Sequence, residues 1–123
     1  MITGLDHFVL VCPGISSATA VYEQLLGRSA DWRASADGAA TATFQLENTS
    51  LELMAPDGEG TVADRLREII SDEGPGLKSL AFGTGDISAA HHKLTRRGLM
   101  PGEIGDGCGQ IIFTPRSPAR RCT

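Results

Sequence analysis

The fold predicted for this 123-residue chain is an α+β domain built from two β-α-β-β-β modules. Three observations carry that expectation. A shift that carries Leu5 onto Leu77 also carries Ile15 onto Ile87, Ser16 onto Ser88 and Ala18 onto Ala90, the mark of an internal duplication whose copies bury their faces together. Each copy opens with an apolar strand-like run and passes into an amphipathic helix closed by glycine. Between the copies lie two alternating segments, 41–46 and 51–55, joined by a short polar loop and read as a hairpin.

Taken in order, residues 5–12 are a nearly continuous apolar run, suited to a strand covered by helices, and Pro13-Gly14 ends it. Ser16 or Ser17 is the expected cap of a helix with Ala18, Val21, Tyr22, Leu25 and Leu26 on one stripe, stopped by Gly27. A weaker strand is expected around 32–34, before the Asp37-Gly38 turn signal. After the hairpin, the stretch 56–60 reads as a linker. Thr61 then begins a connecting helix with Val62, Leu66, Ile69 and Ile70 on one stripe, ending at Gly74-Pro75-Gly76.

The second module is expected to supply a strand at 77–83, a helix capped by Asp86 and running to Arg97, and a strand at 110–114. The rest of the pattern fails there. Residues 105–109 are rich in glycine, and Pro115 and Pro118 exclude a central strand. The expectation is therefore a shortened second module, truncated or altered after Gly107. A missing strand would leave an open sheet edge, which favours pairing as a homodimer.

Composition narrows the function classes. The chain is one domain's worth, with 41% hydrophobic and 21% charged residues, and can bury a core without disulfides or metal staples. A net charge of −4 gives no reason to expect nucleic acid or an anionic membrane as a partner; Arg116, Arg120 and Arg121 read as a solvated tail. No apolar stretch is long enough to span a bilayer, and residues 1–4 lack a charged leader region, so a cytoplasmic location is expected. Cys12, Cys108 and Cys122 are odd in number and lack metal-type spacing, which points to reduced thiols.

Strand parity singles out two side chains. Phe8 and Leu10 share one face of the first strand, and His7, Val9 and Val11 share the other. If the following helix covers the Phe8/Leu10 side, His7 faces away from it. Leu51, Leu53 and Ala55 likewise leave Glu52 and Met54 opposite. A neutral imidazole and a carboxylate meeting on that face can form part of a divalent-metal site; a hydrogen-bonded pair of surface residues is the bland alternative.

The paired modules, the opening Leu5-Asp6-His7-Phe8-Val9-Leu10-Val11 and the strand Leu51-Glu52-Leu53-Met54-Ala55-Pro56 resemble the vicinal oxygen chelate superfamily, over roughly residues 3–104. That group includes glyoxalase I, extradiol dioxygenases, fosfomycin-resistance enzymes and bleomycin-binding proteins. The resemblance implies a cup-shaped mixed sheet with helices outside and metal ligands on the first and last strands of each module. His7 and Glu52 match the ligand positions of module one, whereas Ser79 occupies the first-strand position of module two.

The implied cofactor is a divalent metal ion (Zn, Ni, Mn, Fe or Mg). The implied function is metal-assisted lyase, transferase or dioxygenase chemistry on a small oxygenated molecule. Metal-independent sequestration of a small-molecule ligand is the alternative. Trp32, Phe44 and Ser79 are the expected substrate contacts, with Tyr22 and Phe82 assigned to packing. His91-His92 sits inside a helix, where neighbours point about 100° apart and cannot chelate together.

Overall fold

The computed structural model describes residues 2–99. They form an α+β architecture in the order β1 (Ile2–Val11), α1 (Ile15–Leu26), β2 (Trp32–Ala36), β3 (Ala39–Gln45), β4 (Ser50–Pro56), α2 (Thr61–Glu73), β5 (Gly76–Thr84) and α3 (Ile87–Arg96). The sheet is open and mixed, with strand order β2-β3-β4-β1-β5. β1 runs parallel to β4, while β2, β3 and β4 form an antiparallel meander. The expected strand at 110–114 and the closing segment lie outside the described residues.

Residues 5–81 form one compact unit. Its core is Ala42, Phe44, Leu51 and Leu53, against which Phe8, Leu10, Ile15, Ala18, Tyr22 and Leu26 pack. Alternation on β3 and β4 sends every second side chain into this layer, as a half-buried sheet requires. Tyr22 is a packing residue, as its stripe predicts. The helical stripe itself is turned relative to expectation. Ile15, Ala18, Tyr22 and Leu26 face the sheet and Thr19 is buried, leaving Val21 and Leu25 exposed.

Gly14 stands at the N-cap of α1 with no side-chain cap, so neither Ser16 nor Ser17 takes the capping role; Ser17 Oγ donates instead to the Gly14 carbonyl. Gly27 ends the helix in the left-handed conformation, its N–H returning to the Glu23 carbonyl. The Asp37-Gly38 turn joins β2 to β3 with φ of 56° and 87°, the doubly positive pattern of a tight hairpin. On α2 the buried residues are Ala63 and Leu66, whereas Val62 is exposed.

Residues 2–4 and 82–99 belong to a second unit. There Asp86 caps α3 by accepting from the Ala89 N–H at 3.0 Å, satisfying one of the orphan donors of the first turn. Ala90 is the buried residue of this helix. A Cβ on Gly83 would come within 2.8 Å of the Thr3 hydroxyl, which would have to turn aside, while the nearest backbone atom, the Gly4 carbonyl oxygen, is 3.8 Å away. Phe82 is 58% exposed, contrary to its expected packing role; β5 is the end strand of the described order and has a neighbour on one side only.

Candidate metal and substrate site

The parallel pairing of β1 and β4 decides where the two candidate ligands stand. His7 is in register with Ser50 and Val9 with Glu52, so His7 and Glu52 are diagonal neighbours on one face. That is the face away from the Phe8/Leu10/Leu51/Leu53 core. Nε2 of His7 lies 4.0 Å from Oε2 of Glu52, with side chains 22% and 25% exposed. Nδ1 of His7 lies 2.8 Å from Oδ2 of Asp6, on the far side of the ring.

The register extends the same face across the meander. Glu52 is opposite Thr43, and Thr43 is opposite Trp32. Val9, Glu52, Thr43 and Trp32 therefore form one row across four strands, with Trp32 66% exposed at its end. Met54 and Thr41 form the next row, opposite Val11 and Ala34 respectively. The face combines an imidazole, a carboxylate and hydroxyls with an indole and aliphatic groups. Such a mixture suits a small polar ligand with an apolar part.

Phe44 does not belong to this face. It is fully buried in the helix-side core, because β3 directs Ala40, Ala42 and Phe44 one way and Thr41 and Thr43 the other. Ser79 is exposed on β5. Two neighbours of the pair are absent from the sequence expectation. Thr43 was legible in the alternation of β3, but Asp6 was not, since parity places adjacent residues on opposite faces. The contact arises because a short carboxylate beside a histidine can reach its Nδ1.

Among the described residues no group of three His, Cys, Asp or Glu side chains converges. His7 and Glu52 thus offer two donors of a set. Two ligands about 2.1 Å from a four- or six-coordinate ion stand roughly 3–3.4 Å apart. The observed separation closes to that value with a side-chain movement of less than about 1 Å, and imidazole plus carboxylate suits Zn, Ni, Mn or Fe. The residues present therefore fit one side of a divalent-metal centre.

Other features of this unit carry less chemistry. A cleft of ≈ 370 Å³ opens beside Thr19, Arg33, Ser35 and Asp57 and includes neither His7 nor Glu52. Its polar walls are already engaged: Arg33 pairs with Glu23 at 3.2 Å, and the Ser35 hydroxyl donates to Asp57. Burial pushes the Cys12 thiol above its ordinary pKa, which favours the thiol over the thiolate.

Residues 6–113 match the family model of the Glyoxalase/Bleomycin resistance protein/Dioxygenase superfamily. The chain belongs to that superfamily. Solved structures agree on the fold of the superfamily member described above. Methylmalonyl-CoA epimerase from Streptomyces coelicolor, in complex with 2-nitronate-propionyl-CoA, is 18% identical with a TM-score of 0.67, covering 86% of this chain and 80% of that one. The epimerase from Mycobacterium tuberculosis is 24% identical with a TM-score of 0.66, over 83% and 69%. A hypothetical protein from Bacillus halodurans reaches a TM-score of 0.70 at 18% identity, over 87% and 79%. At these identities the likeness establishes the vicinal oxygen chelate fold. No curated protein matches the chain. Among the described residues no helix is long and apolar enough to cross a membrane.

Proposed function

We propose that this superfamily member binds a small oxygenated molecule on the His7/Glu52 face and acts on it with the help of a divalent metal ion. The observation that carries the reading is the 4.0 Å gap between His7 Nε2 and Glu52 Oε2. A carboxylate only accepts hydrogen bonds, so a neutral His7 facing Asp6 carries its proton on Nδ1. Nε2 then presents a lone pair to a second lone-pair donor, an arrangement that is favourable when a cation lies between them.

A bound ion of this type would polarise a substrate carbonyl or vicinal oxygens and stabilise the negative charge that develops there. The chain's own groups do the remaining work. Glu52 contributes the negative charge that offsets the cation. The Thr43 hydroxyl, in the same row, is a donor for a substrate oxygen, and Val9, Met54 and Trp32 present apolar surface to the carbon skeleton. The fold likeness to epimerases that act on methylmalonyl-CoA supports carbonyl compounds, thioesters included, as the first substrate class to screen.

Calorimetric titration of metal-stripped protein with Zn, Ni and Mn tests the reading. One bound ion is expected per site, with affinity falling at least about 100-fold in His7→Ala and at least about 10-fold in Glu52→Gln. Equal affinity in wild type and both variants overturns it. The apolar groups on this face, Val9 and Trp32 at the two ends of the row and Met54 in the next, favour a second reading, metal-independent sequestration of a small molecule. Ligand-induced thermal stabilisation that survives excess chelator would select that alternative.

The two-donor set also supports a paired assembly, in which a second copy completes the site. β2 ends the strand order and all five of its residues are exposed. An open edge of this kind favours association. Light scattering at micromolar concentration is expected to give twice the 12.9 kDa chain mass. A strictly monomeric protein that still binds metal would overturn the shared site.

A further inference from the structure

We infer that Asp6 is a positioning residue: it holds His7 in the Nδ1–H tautomer and so makes Nε2 the nitrogen that faces Glu52. This deepens the proposed metal reading and rests on it for its purpose, although the tautomer itself is a property of the metal-free chain. Asp6 Oδ2 lies 2.8 Å from Nδ1, a distance typical of a charge-assisted hydrogen bond. The other neutral tautomer would set the Nδ1 lone pair against the carboxylate at that separation, with nothing between two acceptors. Which ring nitrogen is free to bind is set by the hydrogen bond that the other nitrogen makes.

The local backbone supports this placement. The Thr49 hydroxyl donates to the Asp6 carbonyl at 3.2 Å, tying the strand at Asp6 to the turn before β4. His7 is in register with Ser50, and Ser50 donates to the Gln45 side chain at 2.6 Å. The imidazole is thus placed by its own strand pairing and by Asp6, while Glu52 stands across the gap. Removing a carboxylate partner of this kind from a metal-ligating histidine typically lowers metal affinity by about 10–100-fold.

Nitrogen-15 NMR of the His7 ring tests the assignment in metal-free, chelator-treated full-length protein. The measurement is made at about pH 8, above the ordinary imidazole pKa of roughly 6.5. The wild-type ring is expected to carry its proton on Nδ1, and Asp6→Ala is expected to lose that preference. The same variant should bind Zn about 10–100-fold more weakly than wild type while unfolding at a similar temperature, since the Asp6 side chain is 70% exposed. A wild-type ring protonated on Nε2, or one tautomer unchanged between the two proteins, overturns the inference. If the tautomer shifts but neither protein binds metal, Asp6's role stands and the metal reading falls. The wild-type spectrum alone decides the matter should Asp6→Ala fail to fold.

Discussion

Phe44→Ala is expected to lower folding stability by about 3–5 kcal/mol, reducing the melting temperature by about 10–20 °C. Phe44 is fully buried, shares its layer with the fully buried Leu53, and meets the inner stripe of α1. Truncation removes an aromatic ring from the centre of the only core cluster described in this unit, and surrounding groups relax only partly into the space. Domains of this size are stable by about 5–15 kcal/mol, so one such change consumes a large fraction of the margin. Trp32→Ala, at an exposed position, is expected to shift stability by no more than about 0.5 kcal/mol. Thermal and urea unfolding of the two variants side by side checks the contrast. A Phe44→Ala protein with wild-type melting but lost ligand binding would return Phe44 to the binding face.

Gly38→Ala is expected to cost about 2–4 kcal/mol, through two separate causes. The residue sits at φ 87°, a left-handed conformation that L side chains rarely adopt. A Cβ there would also stand 3.0 Å from the Ala63 backbone nitrogen and 3.2 Å from its Cβ. The β2–β3 turn and the first turn of α2 therefore touch through the missing side chain. Gly58 separates the causes, since it has φ 70° and nothing within 4 Å of a built Cβ. Gly58→Ala should lose only the conformational part, about 1–2 kcal/mol. Equal losses at both glycines, measured by denaturant unfolding, would show that the approach to Ala63 is slack.

The strands and helices were legible because their periods differ. Residues 5–12 and 77–83 read as strands; 5–11 lie within β1, which ends one residue earlier than expected, and 77–83 lie within β5, while the Asp37-Gly38 signal adopts the doubly positive φ of a tight hairpin. Asp86 also takes the capping role expected of it. The rotation of α1 was less legible. Val21 and Leu25 satisfy a helical stripe as well as Ile15 does, and only contact with Phe44 and Leu51 decides which stripe faces inward. Phe44 itself was legible in the Thr41/Ala42/Thr43/Phe44 alternation, yet an aromatic residue near a supposed cup invites a binding role.

What the sequence determined alone is the order of the elements, the superfamily, and the fact that His7 and Glu52 leave their strands opposite Phe8/Leu10 and Leu51/Leu53. Side-chain parity is a local property of an extended backbone, so it can be read without knowing the neighbours. The tertiary structure decided which strands are adjacent and in what register. Parallel pairing of β1 with β4 is set by packing between segments some forty residues apart, and no local pattern encodes it. That pairing brings His7 Nε2 to 4.0 Å from Glu52 Oε2, while the antiparallel pairings of β3 with β4 and of β2 with β3 put Thr43 and Trp32 in line with Glu52 and set Phe44 beside Leu51 in the core. The contact between Asp6 and His7 was also structural, because it depends on rotamers that bend two adjacent side chains toward one another.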